Sequence, residues 1–217
     1  MAQIKSDDRE IRILQADDVE LRVVDGESPK ITGYAAKYGK WSEDLGGFRE
    51  KIKKGAFDSV LDNDVRALKN HDPNLILGRS PKTLRLTSNS VGLAFEIDVP
   101  DTTTGRDTLE EIRRGDLTGC SFSFRTGEDD WKYLEDGSIE RTLVSFKELF
   151  DVGPVTYPAY PDTTVAARSL ESFKTEQTEV LDEQLEIITP ERQAEIDRKY
   201  RTLGRISSQC RPADADA

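Results

Sequence analysis

The chain has 217 residues and a formal net charge of -11, with 42 Asp and Glu against 31 Lys and Arg. So acidic a balance argues against a protein that follows phosphate backbones, which needs a basic face, and against nucleic acid as a partner. No apolar run reaches membrane length and no basic-apolar-small leader pattern opens the sequence, so the reading is of a soluble, intracellular protein with no membrane partner.

Taken in order, residues 1–18 are polar, with Ile11, Ile13 and Leu14 fitting a short strand, and read as an N-terminal arm or a sheet edge. Residues 19–24 and 30–38 alternate as two strands around the turn cluster Asp25-Gly26-Glu27-Ser28-Pro29, which predicts an antiparallel pair. A loop with Trp41 and Phe48 follows, then an extended piece at 49–52. Phe57, Val60 and Leu61 stand at helical spacing within 53–61 and predict a short helix. Further strands are expected at 64–69 and 92–99, with brief apolar pieces at 75–78 and 84–86 between them, the second joined to the last strand through a turn at Asn89 and Ser90. Leu109 and Ile112 ahead of Gly115 predict a helix over 108–115 with a glycine cap, after which 117–124 reads as a strand. The acidic stretch 126–137 reads as an exposed hairpin loop, and 139–152 as the last strands. From about residue 168 acids dominate and apolar positions thin out, with a charged, helix-compatible piece at 191–205. The division is therefore an arm at 1–18, a main domain at 19–168 and an acidic tail at 169–217.

The central strand is Leu117-Thr118-Gly119-Cys120-Ser121-Phe122-Ser123-Phe124. Alternation sends Cys120, Phe122 and Phe124 to one face and Ser121 and Ser123 to the other, beside a glycine that lets backbone approach. A serine nucleophile needs a base that titrates near neutrality, and His71 in Asn70-His71-Asp72 is the only histidine of the chain. A histidine between Asn and Asp before Pro73 also fits a polar turn with no chemistry. Ser123 is the rival nucleophile on the same face, with a plain pocket-lining role as its alternative. Cys120 sits with the phenylalanines and reads as a small buried hydrophobe rather than a thiol nucleophile. Its surroundings differ from those of Cys210, so no disulfide is expected, and one His with two Cys cannot assemble a zinc site of the usual kind. No cofactor is implied.

Five short motifs occur in order: Ile31-Thr32-Gly33-Tyr34-Ala35-Ala36, Gly55-Ala56-Phe57, Asn70-His71-Asp72, Gly119-Cys120-Ser121-Phe122-Ser123-Phe124 and Val155-Thr156-Tyr157-Pro158-Ala159-Tyr160-Pro161. Together, over residues 20–168, they resemble the prohead maturation proteases of HK97-like tailed bacteriophages. The resemblance implies an α+β fold like that of herpesvirus assemblin, a mostly antiparallel β-barrel flanked by helices. It also implies a serine endopeptidase, packaged inside the immature capsid in the host cytoplasm, that cleaves the scaffolding region of the major capsid protein and itself. The family's catalytic residues fall on His71 and Ser121. Assemblins use a second histidine as third member, which this chain lacks; the resemblance points to the strand 146–152, where Glu148 is favoured over Asp151. The arginines that assemblins place after their third residue have no counterpart in Gly153-Pro154-Val155-Thr156, and Arg168 is the nearest later arginine. A homodimer is expected from the assemblin relatives.

Two other readings compete. One is a non-catalytic assembly or scaffold protein whose acidic tail binds capsid subunits. The other is an unrelated esterase, disfavoured because Phe122-Ser123 follows Ser121 where a Gly-x-Ser-x-Gly elbow needs x-Gly.

Overall fold

The computed structural model describes residues 9–14, 19–157 and 163–186. The helix read over 191–205, Cys210 and the proline-rich end of the fifth motif lie outside the described residues. The chain divides into compact units at 1–173 and 174–217.

Ten strands and two helices are described: β1 Arg9–Leu14, β2 Arg22–Val24, β3 Lys30–Lys37, β4 Arg49–Ile52, β5 Arg66–Leu68, β6 Ile76–Arg79, β7 Leu84–Ser88, β8 Gly92–Asp98, α1 Thr103–Arg114, β9 Gly119–Tyr133, β10 Ile139–Val155 and α2 Thr163–Glu186. They make two sheets. One runs β1-β9-β10-β5-β6, with β4 also on β10; the other runs β2-β3-β8-β7. The expected barrel is not closed, because the strands split between two sheets and β10 takes β4 and β5 as parallel neighbours along different parts of its length. The antiparallel pair read from the first turn cluster is present as β2 and β3, with Val23 opposite Ile31. Among the described residues no helix is long and apolar enough to cross a membrane.

Three local expectations change. Helix α1 begins a turn earlier than its apolar spacing suggests, because the Thr102 hydroxyl caps it by accepting from Gly105 N at 3.1 Å. It ends as expected at Gly115, whose φ of 77° is left-handed. The helix read over 53–61 shortens to a 3₁₀ turn at Asp58–Val60, since Gly55 sits at φ 84° and interrupts the helical path. The acidic "loop" 126–137 is mostly strand: β9 continues to Tyr133 and the turn is only 134–138. Its acids do not all face water, for Asp129 is buried and accepts from Arg141 Nε at 2.7 Å.

The core between the sheets is aromatic at its centre. Phe57 stacks on Phe146 with centroids 4.3 Å apart, and Phe122 and Phe124 pack around them. Ile31, Leu93, Phe95 and Ile97 supply the facing layer. A second cluster, Leu45, Phe48, Ile139, Leu170 and Phe173, closes on Trp131, so Phe48 and Trp131 are packing residues.

β1 is patterned against the usual rule. Its inward positions are Glu10 and Arg12, both buried, while Ile11 and Ile13 are half-buried on the other face. The buried charges form one network: Arg12 reaches Glu50 (2.5 and 2.9 Å) and Glu10 (2.7 Å), and Arg141 reaches Glu10 (2.8 and 3.0 Å), Glu50 (3.3 Å) and Asp129. Burial pushes the Glu10 carboxyl up, but Arg141 and Arg12 outweigh it and hold it down at about 2. A depressed folded value means that stability from this carboxylate is present above its ordinary value of 4.5 and lost as pH falls towards 2. Thermal unfolding followed from pH 5 to pH 2.5 should therefore show a steady loss of Tm, and Glu10→Gln should flatten that slope.

Candidate active site

His71 is delivered by the turn after β5. Asn70 and His71 both have left-handed backbones, with φ of 55° and 57°, a conformation that non-glycine residues hold only when their surroundings fix it. The fixing comes from Asn70. Its main-chain N–H donates to Pro154 O at 3.0 Å, its Oδ1 accepts from Thr156 N at 2.8 Å, and its Nδ2 reaches Thr156 Oγ1 at 3.2 Å. Asp72 completes the turn, its N–H donating to Lys69 O and its carboxylate accepting from Asn74 N. The imidazole is thereby stapled to the end of β10.

Ser121 lies on β9, opposite Gly153 of β10 on one side and Ile13 of β1 on the other. Gly153 has to be a glycine: a Cβ there would stand 1.9 Å from Leu68 O, so the close passage of β5 past the nucleophile's neighbour requires its absence. His71 Nε2 meets Ser121 Oγ at 2.6 Å, and His71 Nδ1 meets Asp151 Oδ1 at 2.5 Å. Asp151 is nearly inaccessible, with its side chain 2% exposed. Its second oxygen accepts from the Ser123 hydroxyl and from Arg9 Nη2, and Arg9 also donates to Ser123 Oγ at 2.8 Å. Burial pushes the Asp151 carboxyl up, but the His71 bond and charge, Ser123 and Arg9 together prevail, and it sits below its usual range.

Glu148, favoured from sequence as the third member, is not beside His71. It is about two-fifths exposed and pairs with Arg125 at 2.5 Å. An open groove of about 590 Å³ that Glu148 lines with Arg66 and Lys147 contains neither His71 nor Ser121. The physical reason is irregular register: β10 carries bulges between Phe146 and Glu148 and between Leu149 and Asp151, and each breaks the simple alternation of faces. Past the second bulge Asp151 stands opposite Ser123 and shares its face.

Ser123 is buried and engaged with Asp151 and Arg9, so the rival hydroxyl steadies the carboxylate. The Cys120 thiol donates to Gly153 O at 3.1 Å, and burial pushes it up to about 12, which leaves it without the thiolate a nucleophile needs. Arg168 lies exposed on α2, while the guanidinium that enters the cluster is Arg9. Sequence reasoning missed Arg9 because it lies over 100 positions from Ser121 and is brought there only by β1 pairing.

A serine hydroxyl against an imidazole that a buried carboxylate holds on its other nitrogen is an arrangement for nucleophilic acyl transfer. The solved structure of the capsid assembly protease of bacteriophage T4 is similar at 12% identity, covering 69% of this chain and 99% of that one, with a TM-score of 0.41. No curated protein sequence matches. The family model described as caudovirus prohead serine protease matches residues 17–177. That span is most of the chain and carries His71, Ser121 and Asp151 within it, and by it the chain belongs to the caudovirus prohead serine protease family.

Proposed function

We propose that this chain is a serine endopeptidase of capsid maturation in which Ser121 is the nucleophile, His71 the general base and acid, and Asp151 the carboxylate that orients the ring. The observation that carries it is the chain of contacts from Asp151 through both imidazole nitrogens to Ser121 Oγ. His71 Nε2 takes the hydroxyl proton as Oγ attacks the scissile carbonyl, and returns it to the departing amine; water then releases the acyl group by the same route reversed. Asp151 holds the proton on Nδ1 and stabilises the imidazolium. The substrate is the scaffolding region of the major capsid protein, within the immature capsid of an HK97-like phage, and the protease also cleaves its own acidic tail.

Co-expression of the capsid precursor with the wild type, Ser121→Ala or His71→Ala tests this by capsid-protein mass. Processing with the wild type alone is the expected result. Equal processing with all three, or with none, removes the catalytic assignment and favours the assembly-protein reading.

A further inference from the structure

Ser121 is completely buried, although its role demands that a peptide reach it. What covers it is β1. Arg9–Leu14 lies antiparallel along one edge of β9 with Ile13 opposite Ser121 and Arg12 opposite Phe122, and the other edge of β9 is taken by β10. Ser121 Oγ lies 2.9 Å from the main-chain oxygen of Arg12, and the hydroxyl donates to it. A hydroxyl has one proton, so this bond competes with the one to His71 Nε2 that catalysis requires. β1 acts on the carboxylate as well: Arg9 neutralises Asp151, which weakens the charge that would stabilise imidazolium.

The geometry points to the covered edge of β9 as the substrate's track, with β1 as a tethered strand lying where the substrate will lie. This rests on the serine-protease reading above. An extended peptide adds to an open sheet edge through main-chain bonds and is selected by the pockets that take its alternate side chains. Here the two inward pockets are charged. The Arg12 position is read by Glu50, with its guanidinium over the Phe124 ring at 5.6 Å, and the Glu10 position by Arg141 and Thr126. The preferred ligand is therefore an extended peptide with an acidic and a basic residue two positions apart, acid first, and apolar residues alternating with them on the serine face. Two features mark β1 as an occupant rather than part of the shared framework. The family match begins at residue 17, after β1. The positions of β1 that enter the core are charged while its isoleucines are only half-buried, on the face that carries Ser121 and Ser123.

Leu14 stands opposite the native Cys120, so Leu14→Cys offers a cross-strand disulfide at the position next to the nucleophile. In a Cys210→Ser background, the oxidised form should react with a fluorophosphonate serine probe at least about tenfold more slowly than its own reduced form, with recovery on reduction. Equal rates in the two forms would mean that β1 need not leave, and the inference fails. A synthetic peptide of the sequence Arg-Glu-Ile-Arg-Ile-Leu should slow labelling of the reduced form, and the version with Glu at its fourth residue should not; equal effects overturn the charge readout. If the probe labels neither form, the nucleophile assignment has failed, and hydrogen exchange on the wild-type chain decides about β1 alone. Its amides should exchange at least about tenfold faster than those of the neighbouring β9 and β10 ladder, and equal protection overturns the inference.

Discussion

Alanine at Ser121 is expected to reduce peptide-bond hydrolysis by about 10⁶-fold, because nucleophile, base and orienting carboxylate act as a unit and loss of the nucleophile removes nearly all that the unit contributes. The fold should survive, since the lost hydroxyl leaves behind only His71 Nε2, on a ring that remains partly exposed, and a main-chain oxygen within a strand pair. Single-turnover hydrolysis of a peptide copied from the processed capsid segment, with Tm measured alongside, separates chemistry from stability. Ser123→Ala supplies the contrast. That hydroxyl touches Asp151 and Arg9 rather than the imidazole, so its removal should lower the rate by only about tenfold. A larger loss at Ser123 than at Ser121 would exchange their roles.

Asp151→Asn is expected to lower kcat by about 10⁴ with little change in fold, because an amide at that place stabilises the wrong tautomer of His71 and no longer opposes the imidazolium charge. Glu148→Gln should stay within about threefold of wild type, since an exposed ion pair to Arg125 holds nothing in the site. The deficit of Asp151→Asn should persist unchanged as the assay pH is lowered to 5. The folded Asp151 carboxyl lies below its ordinary 3.8, so its charge is present above that value and lost only as pH falls through the still lower folded one. If Glu148→Gln proves the more damaging change, the orienting role belongs to the other carboxylate of β10.

Much of the framework was legible because periodicity and turn chemistry are local. The turn at 25–29 gave its hairpin, Gly115 ended its helix, and alternation around Ser121 separated two hydroxyls from Cys120, Phe122 and Phe124. The pairing of His71 with Ser121 was legible for a different reason: a single histidine leaves one choice of imidazole. What alternation could not carry was the third residue. Two bulges in β10 reset the faces between Phe146 and Asp151, and a bulge depends on the partner strand as much as on its own residues. The acidic stretch after Thr126 failed similarly, since Asp129 can be buried in a strand only once Arg141 of the neighbouring strand reaches it. Burial of Glu10 and Arg12 has the same origin, as each charge is tolerated inside only because distant opposite charges receive it.

The packing of α2 also bears on how far the C-terminus can be trimmed. Phe173 stacks against Trp131 and Tyr133 with both centroid distances 5.1 Å, and Leu170 is buried beside Phe48. A cut at the composition boundary near 168 would strip both side chains from the hairpin and expose Trp131, whereas a cut beyond 173 spares them. A mature enzyme should thus end downstream of Phe173, and intact mass of protein recovered from processed particles reads that end directly. A terminus upstream of Leu170 in fully active material would show that this aromatic clasp is expendable.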